Sequence, residues 1–209
     1  MKVLSKSISL FVVCLIVITI WWIGTDGFTA FTQETARVNK LIEEKPMIMP
    51  ITLEDSKGRM YTFHELKGRR LFLTFIYTSC GTVCPQLEKN MQQVYESLPR
   101  EILDEKIMFL TISFDPDRDT VEVLDTYRQY FGSDGETWRM ARIANKLELK
   151  ELLDAFGVIF LPDQYGGFTH NSAFYYVDEN GRLTNVLDYK DIEGAQAFLH
   201  NELLGSEMK

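Results

Sequence analysis

Two thiols, Cys80 and Cys84, stand in the segment CGTVCP with three residues between them. Thiolate is both the nucleophile of disulfide exchange and the ligand of soft metals. The pair follows an apolar run at 71–77 (LFLTFIY) and precedes a stretch with helical spacing, so it belongs at a strand-to-helix junction. The free N–H groups and partial positive charge of a helix N-terminus favour thiolate over thiol. Pro85 suits the first helical turn, where a missing N–H costs nothing. A purely structural disulfide is the plain alternative, but a bridge closing so short a loop restricts the unfolded chain little. Redox dithiols commonly leave two residues between their cysteines. The third residue here moves the second sulfur along the first turn, an arrangement that can clamp copper(I), zinc or an iron–sulfur centre. Two sulfurs rarely complete such a site, so a third ligand is expected.

The histidines are His64, His170 and His200. His64 sits in a charged stretch (FHELK) and reads as a surface or capping residue. His200, beside Asn201 and Glu202, reads as solvated. His170 follows a Gly-Gly loop at 165–169 and precedes an apolar strand, where ligands are usually presented. By position it is either the third ligand or a hydrogen-bonded loop histidine. Asp115, Asp117 and Asp119 alternate like the opening of a calcium loop. The match fails, because Thr120 and Thr126 occupy the glycine and bidentate-glutamate positions. Asp119 or Thr120 is instead expected to cap the next helix, with a place for Asp115 or Asp119 beside the metal as the alternative. Met47 and Met49 read as ordinary apolar residues, with thioether ligation of copper(I) the alternative. No GxGxxG, P-loop or HExxH segment occurs.

The elements that must position these residues follow from periodicity. Residues 71–77 and 107–114 read as buried strands, with 138–143, 172–177 and 183–187 as further strands. Helical spacing predicts helices over 85–98, 120–131, 147–156 and 192–204, and Gly157 ends the third of these. The DENG segment at 178–181 predicts a hairpin turn. The order is βαβα followed by ββα, that of a thioredoxin-like α/β sheet.

Ahead of this domain, residues 7–24 carry no charge and end near Trp21 and Trp22. That length falls within the roughly 17–25 residues that span a bilayer. The chain is therefore expected to divide into an N-terminal anchor (1–24, a single transmembrane helix), a juxtamembrane spacer (25–46) and an α/β domain (47–209). Lys2 and Lys6 before the run place the main domain on the extracytoplasmic side of a bacterial cytoplasmic membrane. A cleaved signal peptide is the alternative, but Thr29-Ala30-Phe31 makes a poor cleavage site. Cys14 reads as a membrane-buried thiol. The net charge of −8 repels phosphate backbones, so nucleic acid is not an expected partner. The 45% hydrophobic content is too high for a disordered chain.

Four stretches together resemble the Sco/SenC family of copper-binding assembly factors for cytochrome c oxidase. They are LTFIYTSCGTVCP at 73–85, FDPDRDT at 114–120, Phe156-Gly157-Val158, and HNSAFYYVDENG at 170–181. The resemblance covers roughly residues 50–205. It implies a thioredoxin-like fold and copper, as Cu(I) or Cu(II), held by Cys80, Cys84 and His170. It also implies delivery of copper, or of reducing equivalents, to the dinuclear copper site of oxidase subunit II. One departure stands out: Gly81-Thr82 replaces the family's usual Pro-Asp. A metallochaperone, not an enzyme, is therefore the leading expectation. A membrane-tethered thiol–disulfide oxidoreductase, with Cys80 and Cys84 as its redox pair, is the alternative. A peroxidase of the peroxiredoxin kind fits poorly, because Gly81 occupies the place where that resemblance asks for a threonine.

Overall fold

In a computed structural model of the chain, residues 2–24, 33–162 and 168–205 are described. They form two compact units, Met1–Glu44 and Lys45–Lys209. The first contains helices α1 (Lys2–Gly24) and α2 (Gln33–Glu44). The described side chains of α1, from Phe11 to Ile23, are all exposed. Among the described residues no helix is long and apolar enough to cross a membrane. The expected transmembrane helix is therefore not upheld. Cys14 is a free, exposed thiol. The alternative cleavage site and the Gly-Gly residues before Phe168 lie outside the described residues.

The second unit holds strands β1 (Thr52–Asp55), β2 (Met60–Thr62), β3 (Arg70–Ile76), β4 (Ile107–Ser113), β5 (Trp138–Arg142), β6 (Phe160–Pro162), β7 (Phe168–His170), β8 (Phe174–Val177) and β9 (Leu183–Leu187). Its helices are α3 (Val83–Glu96), α4 (Arg100–Glu105), α5 (Val121–Tyr130), α6 (Lys146–Ala155) and α7 (Ile192–Leu204). One sheet runs β2-β1-β5-β4-β3-β8-β9, and β6 pairs with β7 in a second, two-stranded sheet. Strands β3, β4 and β5 are parallel, with β8 antiparallel to β3. β4 is buried along its whole length and β3 from Leu71 onward. That is why both read as continuous apolar runs: a central parallel strand is covered on both faces. The DENG turn forms as expected, with Asp178 Oδ1 accepting the N–H groups of Asn180 and Arg182 at 3.0 and 2.8 Å.

A buried polar knot lies between α3 and the sheet. The Thr111 hydroxyl donates to Glu88 at 3.0 Å and accepts the Trp138 indole N–H at 3.1 Å. Glu88 is wholly buried. Burial pushes its carboxyl up to about 8, opposed by the Thr111 hydroxyl. The folded state thus holds a proton that the unfolded chain releases near pH 4.5. Stability is expected to fall as pH rises from about 4.5 to about 8, because the folded state binds more protons over that window. Glu88→Gln keeps the shape without the proton. In urea unfolding at pH 5 and pH 8 it should lose a pH dependence on the order of a few kcal/mol. An unchanged pH slope in the variant would count against a buried, protonated Glu88.

Candidate metal centre

β3, an interior strand, ends at Ile76, and the turn Tyr77–Gly81 passes the chain into α3. The first turn of α3 contains Cys84 and Pro85, as the missing proline N–H allows. Thr82, the N-cap residue, makes no side-chain cap bond. A sulfur takes that place: the Cys84 N–H donates to Cys80 Sγ at 3.4 Å. Both cysteines are free and buried.

Their environments differ. Burial raises the Cys80 thiol, but the N–H groups of Cys84 and Thr82 outweigh it and bring the pKa down to about 7. Cys84 is fully enclosed, and burial, with the neighbouring Cys80, pushes it up despite a hydrogen bond from the Tyr77 N–H. At neutral pH Cys80 is therefore partly thiolate, while Cys84 stays a thiol. Thr82 Oγ1 stands 3.9 Å from Cys80 Sγ. A carboxylate at that position, usual in the resembling family, would repel the thiolate; the hydroxyl does not. A Cβ on Gly81 would meet nothing within 4 Å, so packing does not demand glycine there.

His170 does not sit in a loop. It ends β7, paired with Phe160 of β6, and this hairpin brings it across to α3. Its Nε2 stands 3.5 Å from Cys84 Sγ, over 86 residues of sequence. Its Nδ1 is 3.0 Å from the Asn171 carbonyl. A carbonyl only accepts, so Nδ1 carries the proton and the Nε2 lone pair faces Cys84. Burial lowers the His170 pKa, which favours the neutral ring despite the Asn171 contact. Phe114 packs edge-on against the imidazole, ring centroids 5.0 Å apart. Two sulfurs and a neutral imidazole nitrogen make a donor set that suits copper. Among the described residues no three His, Cys, Asp or Glu side chains form a closed metal-binding cluster. The three donors approach one another without yet converging.

The acidic segment does something other than capping metal. Thr120, not Asp119, caps α5, its hydroxyl accepting the Val123 N–H at 3.4 Å. Asp119 is fully buried and accepts the Thr78 N–H at 3.0 Å, with further bonds from the Thr78 and Ser113 hydroxyls. It thereby fixes the residue two before Cys80. Asp115 pairs with Arg118, and Asp117 with Lys146 at 2.6 Å. Met47 and Met49 line a different cavity with the exposed His64, not the cysteine turn. His200 is not freely solvated: it is half-buried, with Nε2 3.2 Å from the Ser97 carbonyl.

Comparison with known proteins relates this chain to a family. The SCO1/SenC family model matches residues 39–201. A SCO2-like protein of Rickettsia typhi is 30% identical over 158 residues, covering 72% of this chain and 74% of that one. The copper-bound ScoI structure of Bradyrhizobium japonicum has a TM-score of 0.61 at 25% identity, covering 74% of this chain and 98% of that one. A SCO1/SenC family lipoprotein of Bacillus anthracis has a TM-score of 0.64 at 24% identity, covering 73% and 95%. The fold is the mixed α/β, thioredoxin-like fold of these proteins. The family works in copper handling and cytochrome c oxidase assembly. With the family model spanning residues 39–201 and a relative 30% identical over most of both chains, this chain belongs to the SCO1/SenC family.

Proposed function

We propose that the protein is a copper metallochaperone that holds one ion between Cys80, Cys84 and His170 and delivers it to the dinuclear copper site of cytochrome c oxidase subunit II. The observation that carries this reading is the 3.5 Å approach of His170 Nε2 to Cys84 Sγ, with Nδ1 committed to the Asn171 carbonyl. The lone pair so oriented is the one a metal would take. Thiolates suit copper(I), and the imidazole extends the site to copper(II). His170→Ala in the full chain is expected to weaken copper(II) binding at least tenfold, about 1.4 kcal/mol or more. Chelator-competition titration measures this, and equal affinity in the two proteins would remove His170 from the site.

A second reading rests on the unequal cysteines. Cys80, with a pKa of about 7, suits attack on a partner's disulfide, and the buried Cys84 would then displace the partner's sulfur. That chemistry needs no histidine. Oxidase activity fully restored by a His170→Ala gene in copper-replete cells favours this reading over copper delivery.

We further infer that the exposed apolar face of α1, from Phe11 to Ile23, associates the protein with a membrane, the α/β domain lying on the extracytoplasmic side. The lipoprotein status of the Bacillus anthracis relative supports membrane association in the family. Cell fractionation should recover the full chain in the membrane pellet. Recovery in the soluble fraction would contradict the inference.

A further inference from the structure

Tyr77 belongs to none of the roles above, yet it touches both halves of the candidate centre. It is the first residue after β3. Its backbone serves the cysteine turn: the carbonyl accepts the Cys80 N–H at 3.2 Å, and the N–H bonds the Cys84 sulfur. Its side chain serves the histidine hairpin. The phenol accepts the Phe168 N–H at 3.1 Å and lies 3.2 Å from the Phe168 carbonyl, to which it donates. Phe168 begins β7, the three-residue strand that His170 ends. Both backbone groups of that first residue are thus gripped by one hydroxyl.

Ring packing supports the grip. Tyr77 meets Phe168 edge-on at 5.3 Å and His170 at 6.3 Å, and packs against Phe114 at 5.3 Å. Phe114 in turn contacts Phe168 and His170 at 5.6 and 5.0 Å. Among the described residues the pair β6–β7 has no other strand beside it. A two-stranded pair is at best marginally stable by itself. What holds it at a defined distance from α3 must come from side chains, and the Tyr77 hydroxyl supplies the hydrogen bonds to the strand that carries His170.

We propose that Tyr77 is a positioning residue that couples the cysteine turn to the His170 hairpin, setting how closely the imidazole approaches the two sulfurs and hence how strongly the site takes copper(II). The proposal rests on the reading of Cys80, Cys84 and His170 as ligands. Copper(II) depends on the imidazole more than copper(I) does, because copper(I) is well served by thiolates. Loosening the hairpin should therefore weaken copper(II) selectively.

The test is Tyr77→Phe in the full chain, which keeps the ring contacts and removes only the hydroxyl. In the copper-free protein, hydrogen exchange at the Phe168 amide should accelerate at least tenfold, and the His170 imidazole signals should shift in nitrogen-15 NMR. In the copper(II) form, affinity should fall about tenfold and the nitrogen hyperfine coupling in the electron paramagnetic resonance spectrum should weaken. Copper(I) affinity should stay within about threefold. A variant that merely damaged the fold would lose both oxidation states together and melt earlier. Unchanged exchange and imidazole signals in the copper-free variant overturn the coupling, whatever copper does. Faster exchange with unaltered copper(II) affinity also overturns it, where His170→Ala weakens copper(II). If His170→Ala itself leaves copper(II) affinity unchanged, the ligand reading is what fails, and the positioning of a ligand fails with it.

Discussion

Cys84→Ser removes tight copper binding. The loss is expected to exceed the roughly 10–100-fold that deleting an outer-shell partner of a metal site costs. Serine matches the cysteine in shape, so the fully buried position stays filled and the fold should survive. What changes is the donor. A hydroxyl is hard and stays protonated near neutral pH, whereas a soft ion selects sulfur. Cys80→Ser should do the same to copper and should also remove the thiol with a pKa of about 7. Competition against a copper(I) chelator measures both variants. Wild-type affinity in Cys84→Ser would leave the 3.5 Å approach to His170 without a metal-binding meaning.

Asp119→Ala should destabilise the domain by about 3 kcal/mol. Its carboxylate receives the Thr78 N–H and the hydroxyls of Thr78 and Ser113, all where water does not reach the aspartate. Hydrogen bonds to a charged group are worth about 1.5–3 kcal/mol each, and removing the acceptor leaves the donors unmatched. The three bonds share one group and do not add in full. For a domain of this size, the melting temperature should drop by roughly 6–12 °C. Because Thr78 precedes Cys80 by two residues, copper affinity should fall as well, but less than in Cys84→Ser. A melting temperature within about 2 °C of wild type would show that Asp119 does not anchor the turn.

Much of this architecture was legible in the residues. β3 and β4 declare themselves because a strand covered on both faces must be apolar throughout. The predicted span 71–77 therefore lies within one residue of the observed Arg70–Ile76 at each end. α5, α6 and α7 carry local signals: the Thr120 and Asn145 caps, Gly157 after α6 with φ of 59°, and amphipathic spacing. The elements that escaped are short or polar. β1 alternates half-buried and buried residues through Thr52-Leu53-Glu54-Asp55, too brief for a pattern. β6 and β7 have three residues each, and α4 has six.

The same division runs through the site. By itself the sequence determined the cysteine pair and its place at a strand-to-helix junction, because helix N-termini and apolar strands leave local marks. Tertiary structure alone decided that His170 ends a strand, that its Nε2 faces Cys84 and not solvent, and that Asp119 grips Thr78 in place of capping α5. It also made the two sulfurs unequal, lowering the pKa of Cys80 and raising that of the buried Cys84. The physical reason is range. Capping, periodicity and turn chemistry act over a few residues, whereas the contact between Cys84 and His170 spans 86 and exists only once the fold has brought the start of α3 and the β6–β7 hairpin together.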